Sequence, residues 1–157
     1  MELVTCELPA FSVIGLEGEA EPGRNPAPAL WAAANARFGE VEALALRDGT
    51  GMPVGIWGAM SDLSRQFLPW TDGFCRGLYL AGVQTPPDAL APEGWTKWTL
   101  PAFACLRVRV EGDCAAAFQA GLDGLARRGL SLAGAVQECQ RPAEVGQLYL
   151  FFPFKRL

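Results

Sequence analysis

A chain of 157 residues, half of them hydrophobic, is long enough for one well-cored domain, expected to span 1–157, and too short for two. Its net charge of −4 argues against a general nucleic-acid binder, because phosphate binding needs a basic patch. There is no histidine, which removes the usual general base, the Ser/His and Cys/His nucleophile pairs and most zinc sites.

The first 23 residues hold five acids and no base, so the start reads as neither a signal peptide nor a transit peptide. No apolar run reaches membrane length, and a soluble, cytoplasmic protein is expected by elimination. Glu7-Leu-Pro-Ala-Phe11 leads into a first strand, Ser12 to Gly18, whose Ile14 and Leu16 share a face. After a turn at Glu21 to Asn25, Asn25 is a plausible N-cap with Pro26 at the first helical position. That helix carries Trp31, Ala34 and Phe38 on one stripe and stops at Gly39. Val41 to Leu46 is ambiguous.

Pro53 to Met60 reads as the next strand, with Val54, Ile56 and Met60 on one face and Gly55, Trp57 and Ala59 on the other. Small neighbours around Trp57 suit a cavity wall as well as a bulge. Ser61 to Gly73 is a loop of high apolar content, and Phe74 to Gln84 a strand containing Leu78-Tyr-Leu80. A proline-rich link, Thr85 to Pro92, divides the chain near its middle.

The second half echoes the first. Thr99-Leu-Pro-Ala-Phe103 opens a strand with Leu106, Val108 and Val110 inward, and Asp113 can cap a helix from Cys114 to Arg128. Gly121 and Gly124 weaken this helix by about 1 kcal/mol each, a cost that closer packing would offset. A final hairpin runs from Gly134 to Phe154, and its Leu148-Tyr-Leu150 repeats Leu78-Tyr-Leu80. Its first arm places Val136, Glu138 and Gln140 on one face and Ala135, Gln137 and Cys139 on the other. Each half therefore reads strand, helix, strand, strand, an internal repeat of 1–84 and 93–157. The five cysteines are odd in number, widely spaced and without a C-x-x-C, so neither a disulfide framework nor a structural metal is expected.

Two such units share one sheet because neither can bury its strands alone. The expected fold is α+β: one antiparallel sheet, two helices on one face and a ligand cleft on the other. The residues available to line the cleft are Trp57, Tyr79, Glu138 and Tyr149 from strands, with Trp70, Trp95 and Trp98 from flanking loops and Trp31 from the first helix. Glu138 is either a solvated surface charge or the polar anchor of an apolar pocket. The alternative for the tryptophans is ordinary core and lid packing, which suits Trp31 on its helix stripe better than Trp57 beside glycine and alanine. Trp70, Trp95 and Trp98 serve equally as loop anchors.

Glu7-Leu-Pro-Ala-Phe-Ser-Val-Ile-Gly15, Leu30-Trp31, Tyr79-Leu-Ala-Gly-Val83, Gly94 with Leu100-Pro-Ala-Phe103, and Phe152-Pro-Phe-Lys155 resemble, in order and spacing, the GyrI-like small-molecule-binding domains. These are also the effector-binding domains of AraC-type and MerR-type multidrug regulators. The resemblance implies a pseudo-symmetric pair of strand-helix-strand-strand units around a ligand cleft. It also implies that the glutamate of the penultimate strand, here Glu138, faces cationic or polarised ligands among aromatic rings. Many members carry a tyrosine two residues later, where this chain has Gln140. Some stand-alone members hydrolyse cyclopropane-bearing alkylators with the glutamate and a tyrosine, a role that Tyr79 would have to fill from another strand.

No helix-turn-helix is expected beside the domain. The leading expectation is a binder of an apolar, aromatic or cationic small molecule, without cofactor, metal, nucleic acid or membrane. A hydrolase using Glu138 with Tyr79 or Tyr149, and a gyrase-inhibitor-like protein-interaction module, are the alternatives.

Overall fold

The computed structural model describes residues 1–157. Its eight strands are β1 (Leu3–Leu8), β2 (Phe11–Ala20), β3 (Ile56–Ser61), β4 (Gly77–Thr85), β5 (Thr96–Leu100), β6 (Phe103–Arg109), β7 (Gln137–Arg141) and β8 (Gln147–Arg156). The helices are α1 (Ala27–Ala36) and α2 (Cys114–Arg127). All strands join one antiparallel sheet in the order β1-β6-β8-β7-β3-β4-β2-β5. No helix is long and apolar enough to cross a membrane.

Two strands exceed the sequence reading. Glu7-Leu-Pro-Ala-Phe11 is preceded by β1 and Leu-Pro-Ala-Phe103 by β5, so each motif is a corner between two strands. Proline has no ladder donor to give, and the two residues Pro9-Ala10 and Pro101-Ala102 interrupt pairing there. Leu8 lies opposite Phe103 and Phe11 opposite Leu100. The β1–β6 and β2–β5 ladders thus keep one register across both corners, forming a single ribbon bent in the middle. A three-residue step spans at most about 10 Å, so the two wings of the sheet are drawn face to face and the sheet curls.

The inside of the curl is filled by Val13, Trp57, Leu80, Trp98, Leu100, Phe103, Cys105, Tyr149 and Phe151. The outside carries both helices, α1 over Ile14, Leu16, Tyr79, Ala81 and Val83, and α2 over Leu106, Val108, Leu150 and Phe152. Core packing fills most of the face opposite the helices, where the cleft was expected, and leaves there a hollow of about 330 Å³ lined by Leu8, Phe11, Trp57, Cys139 and Arg141.

Local signals act as read. The Asn25 carboxamide accepts from the Ala27 N–H at 3.1 Å, though α1 begins one residue later than expected, and Asp113 caps α2 through Ala115 N–H at 3.0 Å. Residues 38–44 form two short 3₁₀ turns that bury Val41 beneath α1, which resolves the ambiguous stretch. A Cβ on Gly121 would collide with the Phe152 ring, and one on Gly124 would lie 2.5 Å from Leu3. The bare α2 backbone therefore seats directly on the sheet, and this contact offsets the low helix propensity of glycine. All five cysteines are free.

Exchanging β1 to β4 for β5 to β8 leaves the strand order unchanged apart from its direction. This is the order a duplicated unit produces, and we propose residues 1–84 and 93–157 as its two copies. One echo does not follow that scheme: Tyr79 packs beneath α1 whereas Tyr149 lies inside the curl, so the two Leu-Tyr-Leu segments present opposite faces. The halves are interlocked, since β1 pairs with β6 and β5 with β2. Cutting the chain after Leu90, a side chain 81 % exposed, is expected to leave two fragments that are each unfolded by circular dichroism and regain sheet signal only when mixed. A fragment that folds cooperatively alone would contradict a single 1–157 domain.

Candidate functional site

The helices rest on the outer strand pairs, α1 on β2 and β4 and α2 on β6 and β8. The central strands β3 and β7 are left as the floor of a cleft between the helices. Alternation turns Ile56, Gly58 and Met60 of β3, and Glu138 and Gln140 of β7, toward this cleft. Gly58 pairs directly with Glu138, and a Cβ on Gly58 would collide with both the Tyr79 hydroxyl and the Glu138 carboxylate. The glycine is thus the space in which those two groups meet.

The Trp31 Nε1–H of α1 donates to the Tyr79 oxygen at 2.8 Å, and the Tyr79 O–H donates to Glu138 Oε1. Indole nitrogen can only donate, so Trp31 commits the tyrosine oxygen as acceptor and leaves its proton for the carboxylate. Burial pushes the Glu138 carboxyl above its ordinary value of 4.5, against the opposing hydrogen bond from Tyr79, and no basic residue contributes. Arg24, on the rim, is paired with Glu21 at 3.4 Å. Burial and the neighbouring Glu138 charge push the Tyr79 phenol up as well, and Cys114 at the start of α2 is raised by burial, Glu138 and Asp113.

Glu138 forms a wall shared by two hollows. One, of about 440 Å³, is lined by Met60, Trp70, Phe74, Cys75 and Tyr79. It adjoins an apolar hollow of about 490 Å³ reaching Phe118 and Val136. The other, of about 370 Å³, is lined by Trp31, Asn35, Ile56, Gly58, Gln140 and Leu148. Trp70 and Phe74 come from the loop between β3 and β4. There the Trp70 indole lies on Gly77 and donates to the Leu78 carbonyl at 3.2 Å, while Phe74 meets Phe118 edge-on at 5.2 Å. Arg65, Phe67, Asp72 and Phe74 of this loop all have positive φ, and the Asp62 carboxylate fixes its start by accepting from the backbone of Gln66 and Leu68.

Of the residues singled out in the sequence, Glu138, Tyr79, Trp31 and Trp70 converge. The others do not. Trp57 lies inside the curl, 4.4 Å from the Phe11 ring, and donates to Gln84 at 3.0 Å. Its small neighbour Gly55 leaves room for the indole, which also lines a hollow of about 330 Å³ with Leu8, Phe11 and Gln84. Trp98 is on β5, not in a loop, and donates inside the curl to Glu17 at 3.0 Å. Tyr149 donates to Glu144 at 2.6 Å, with Arg107 and Arg141 each 4.8 Å from its ring centre. Trp95 sits on the helix side but beyond α1, bonded to Glu40 at 3.2 Å under the Arg37 guanidinium. Gly58, Met60, Phe74 and Asn35 escaped the sequence reading. The glycine's only signal is its place between Trp57 and Ala59, and strand alternation by itself does not say which of the two faces opens to a cleft.

No family model and no curated protein sequence matches the chain. Among solved structures it is similar to SAV2435 bound to tetraphenylphosphonium, with TM-score 0.66 and 14 % identity over 99 % of this chain and 94 % of that one. It is also similar to EcmrR in a complex with DNA, with TM-score 0.67 and 12 % identity, covering 99 % of this chain and 58 % of that chain. A bacterial transcription regulation protein from Staphylococcus aureus MU50 matches at TM-score 0.60 and 14 % identity, over 99 % of both chains. The fold is that of the GyrI-like domains whose motifs the sequence resembles.

Because burial raises the Glu138 carboxyl, the folded state holds its proton more tightly than the unfolded chain. Stability from this group is intact below the ordinary value of 4.5 and declines as pH rises through the raised one. Glu138→Gln is therefore expected to melt higher than the parent near pH 7 and to lose that advantage near pH 4, as read by thermal denaturation across pH.

Proposed function

We propose that the chain binds an aromatic cation in the cleft between α1 and α2, acting as a ligand sensor or sequestering module. The observation that carries this reading is a partly buried carboxylate with one oxygen bonded to Tyr79, no basic partner, and aromatic hollows beside it. A delocalised cation seated against Trp70, Phe74 and Tyr79 supplies the missing counter-charge, and its rings gain cation–π and stacking attraction of about 0.5–2 kcal/mol each. A neutral ligand would desolvate the carboxylate without compensating it. The similarity to a structure bound to tetraphenylphosphonium supports the same ligand class.

Binding of a permanent cation favours ionised Glu138, so its affinity is expected to rise with pH through the raised Glu138 value and then level. In Glu138→Gln the affinity for tetraphenylphosphonium should fall by about 1–3 kcal/mol and lose its pH dependence. A neutral isostere such as tetraphenylmethane or a soluble derivative should be little affected. Isothermal titration of both ligands against both proteins is the measurement, and equal cation affinity in the two proteins would return Glu138 to an ordinary surface charge.

A second reading is favoured by the hydrogen bond between Tyr79 and Glu138 at the edge of an open hollow. A carboxylate of raised basicity, held in place by the Tyr79 O–H, can take a proton from an attacking water and return it to the carbon released as the ring opens, which balances the hydrolysis of a strained alkylator. Turnover of a cyclopropane-bearing electrophile should then be lost in both Glu138→Gln and Tyr79→Phe, as followed by chromatography of the ring-opened product. Consumption that continues unchanged in either variant excludes this pair as its catalyst.

A further inference from the structure

The two hollows that meet at Glu138 differ in chemistry. The hollow at Trp70 and Phe74 has one amide on its rim, Asn25, whose oxygen is already committed to capping α1. The hollow behind Trp31 is lined by two amides, Asn35 of α1 and Gln140 of β7, and neither side chain makes a hydrogen bond within the chain. The Gln140 amide stands over Gly146, where a Cβ would approach it to 3.0 Å, and the positive φ of 71° at that position also favours glycine. Between the amides the walls are apolar, formed by Ile56, Leu148 and the Trp31 indole. Two amides without partners in the chain, lining one hollow beside apolar side chains, suit a neutral group that both gives and takes hydrogen bonds.

We infer that the cleft takes a two-part ligand, an aromatic cation whose rings occupy the Trp70 side and whose amide- or hydroxyl-bearing arm crosses Glu138 to bond Asn35 and Gln140. This rests on the cation reading and adds to it the class of substituent and the residues that select it. The Gln140 carboxamide can donate twice and accept. Asn35 lines the same hollow from α1. Both residues are exposed, so replacing them leaves the core intact.

The test uses three phosphonium probes: tetraphenylphosphonium, a triphenylphosphonium bearing a carbamoylalkyl arm, and the alkyl isostere of the same length. Titration calorimetry on the full chain should show the amide-armed probe binding about tenfold more tightly than its alkyl isostere. In Asn35→Ala combined with Gln140→Met, that ratio should fall to near one while tetraphenylphosphonium affinity is unchanged, which also reports that the cleft is still folded. Phosphonium binding without preference between the two arms in the parent protein, or a preference that survives in the double variant, overturns this inference alone. Failure of all three probes to bind overturns the cation reading and the arm subsite together.

Discussion

The structure depends on two corners. Leu8 to Phe11 and Leu100 to Phe103 are steps of three residues that carry a paired ribbon from one wing of the sheet to the other without a change of register. Because each step is so short, the wings cannot splay, and one face of the sheet becomes the interior of a curl closed by Trp57, Trp98, Phe103 and Phe151. The helices are left with the other face. They cover its two flanks, and the centre, where β3 meets β7, remains open. The cleft is thus a consequence of the curl: two helices on a convex surface diverge and leave a floor between them.

Glu138 occupies that floor under conditions that keep it costly. It is paired in register with a glycine, bonded by a phenol whose own oxygen is held by Trp31, and given no counter-ion. A solvated glutamate would require none of these arrangements. The carboxylate is held in one position, partly dehydrated, beside space of ligand size. The positive-φ residues of the β3–β4 loop extend the pattern, because backbone in that region is retained only where neighbouring contacts fix it, and here the loop presents Trp70 and Phe74 to the cleft. Strain, dehydration and unpaired amides all collect around one residue.

Much of this was readable from single residues and their spacing. The caps Asn25 and Asp113, the strand alternation at Ile14-Leu16 and Leu106-Val108, and the repeated Leu-Pro-Ala-Phe each rest on local rules of helix ends and pleat period, and those rules act on a few neighbouring residues at a time. Glu138 and Tyr79 could be named because a carboxylate and a phenol are conspicuous in apolar strands. β1 and β5 went unread as strands because each is short and ends at a proline corner, which looks like a loop in one dimension. Trp57, Trp98 and Tyr149 read in one dimension like Tyr79, because aromatic residues on a strand identify a buried face without saying which one.

The sequence by itself determined the α+β class, the absence of histidine chemistry and the presence of one carboxylate among aromatics. Only the tertiary structure decided on which side of the sheet Glu138 lies, and therefore which rings stand beside it. A period of two divides a strand into two faces but is symmetric between them. The symmetry is broken by the shared register of strands about ninety residues apart, Leu8 against Phe103 and Phe11 against Leu100. That pairing turns the Trp57 face inward and leaves Gly58 and Glu138 facing the space between the helices.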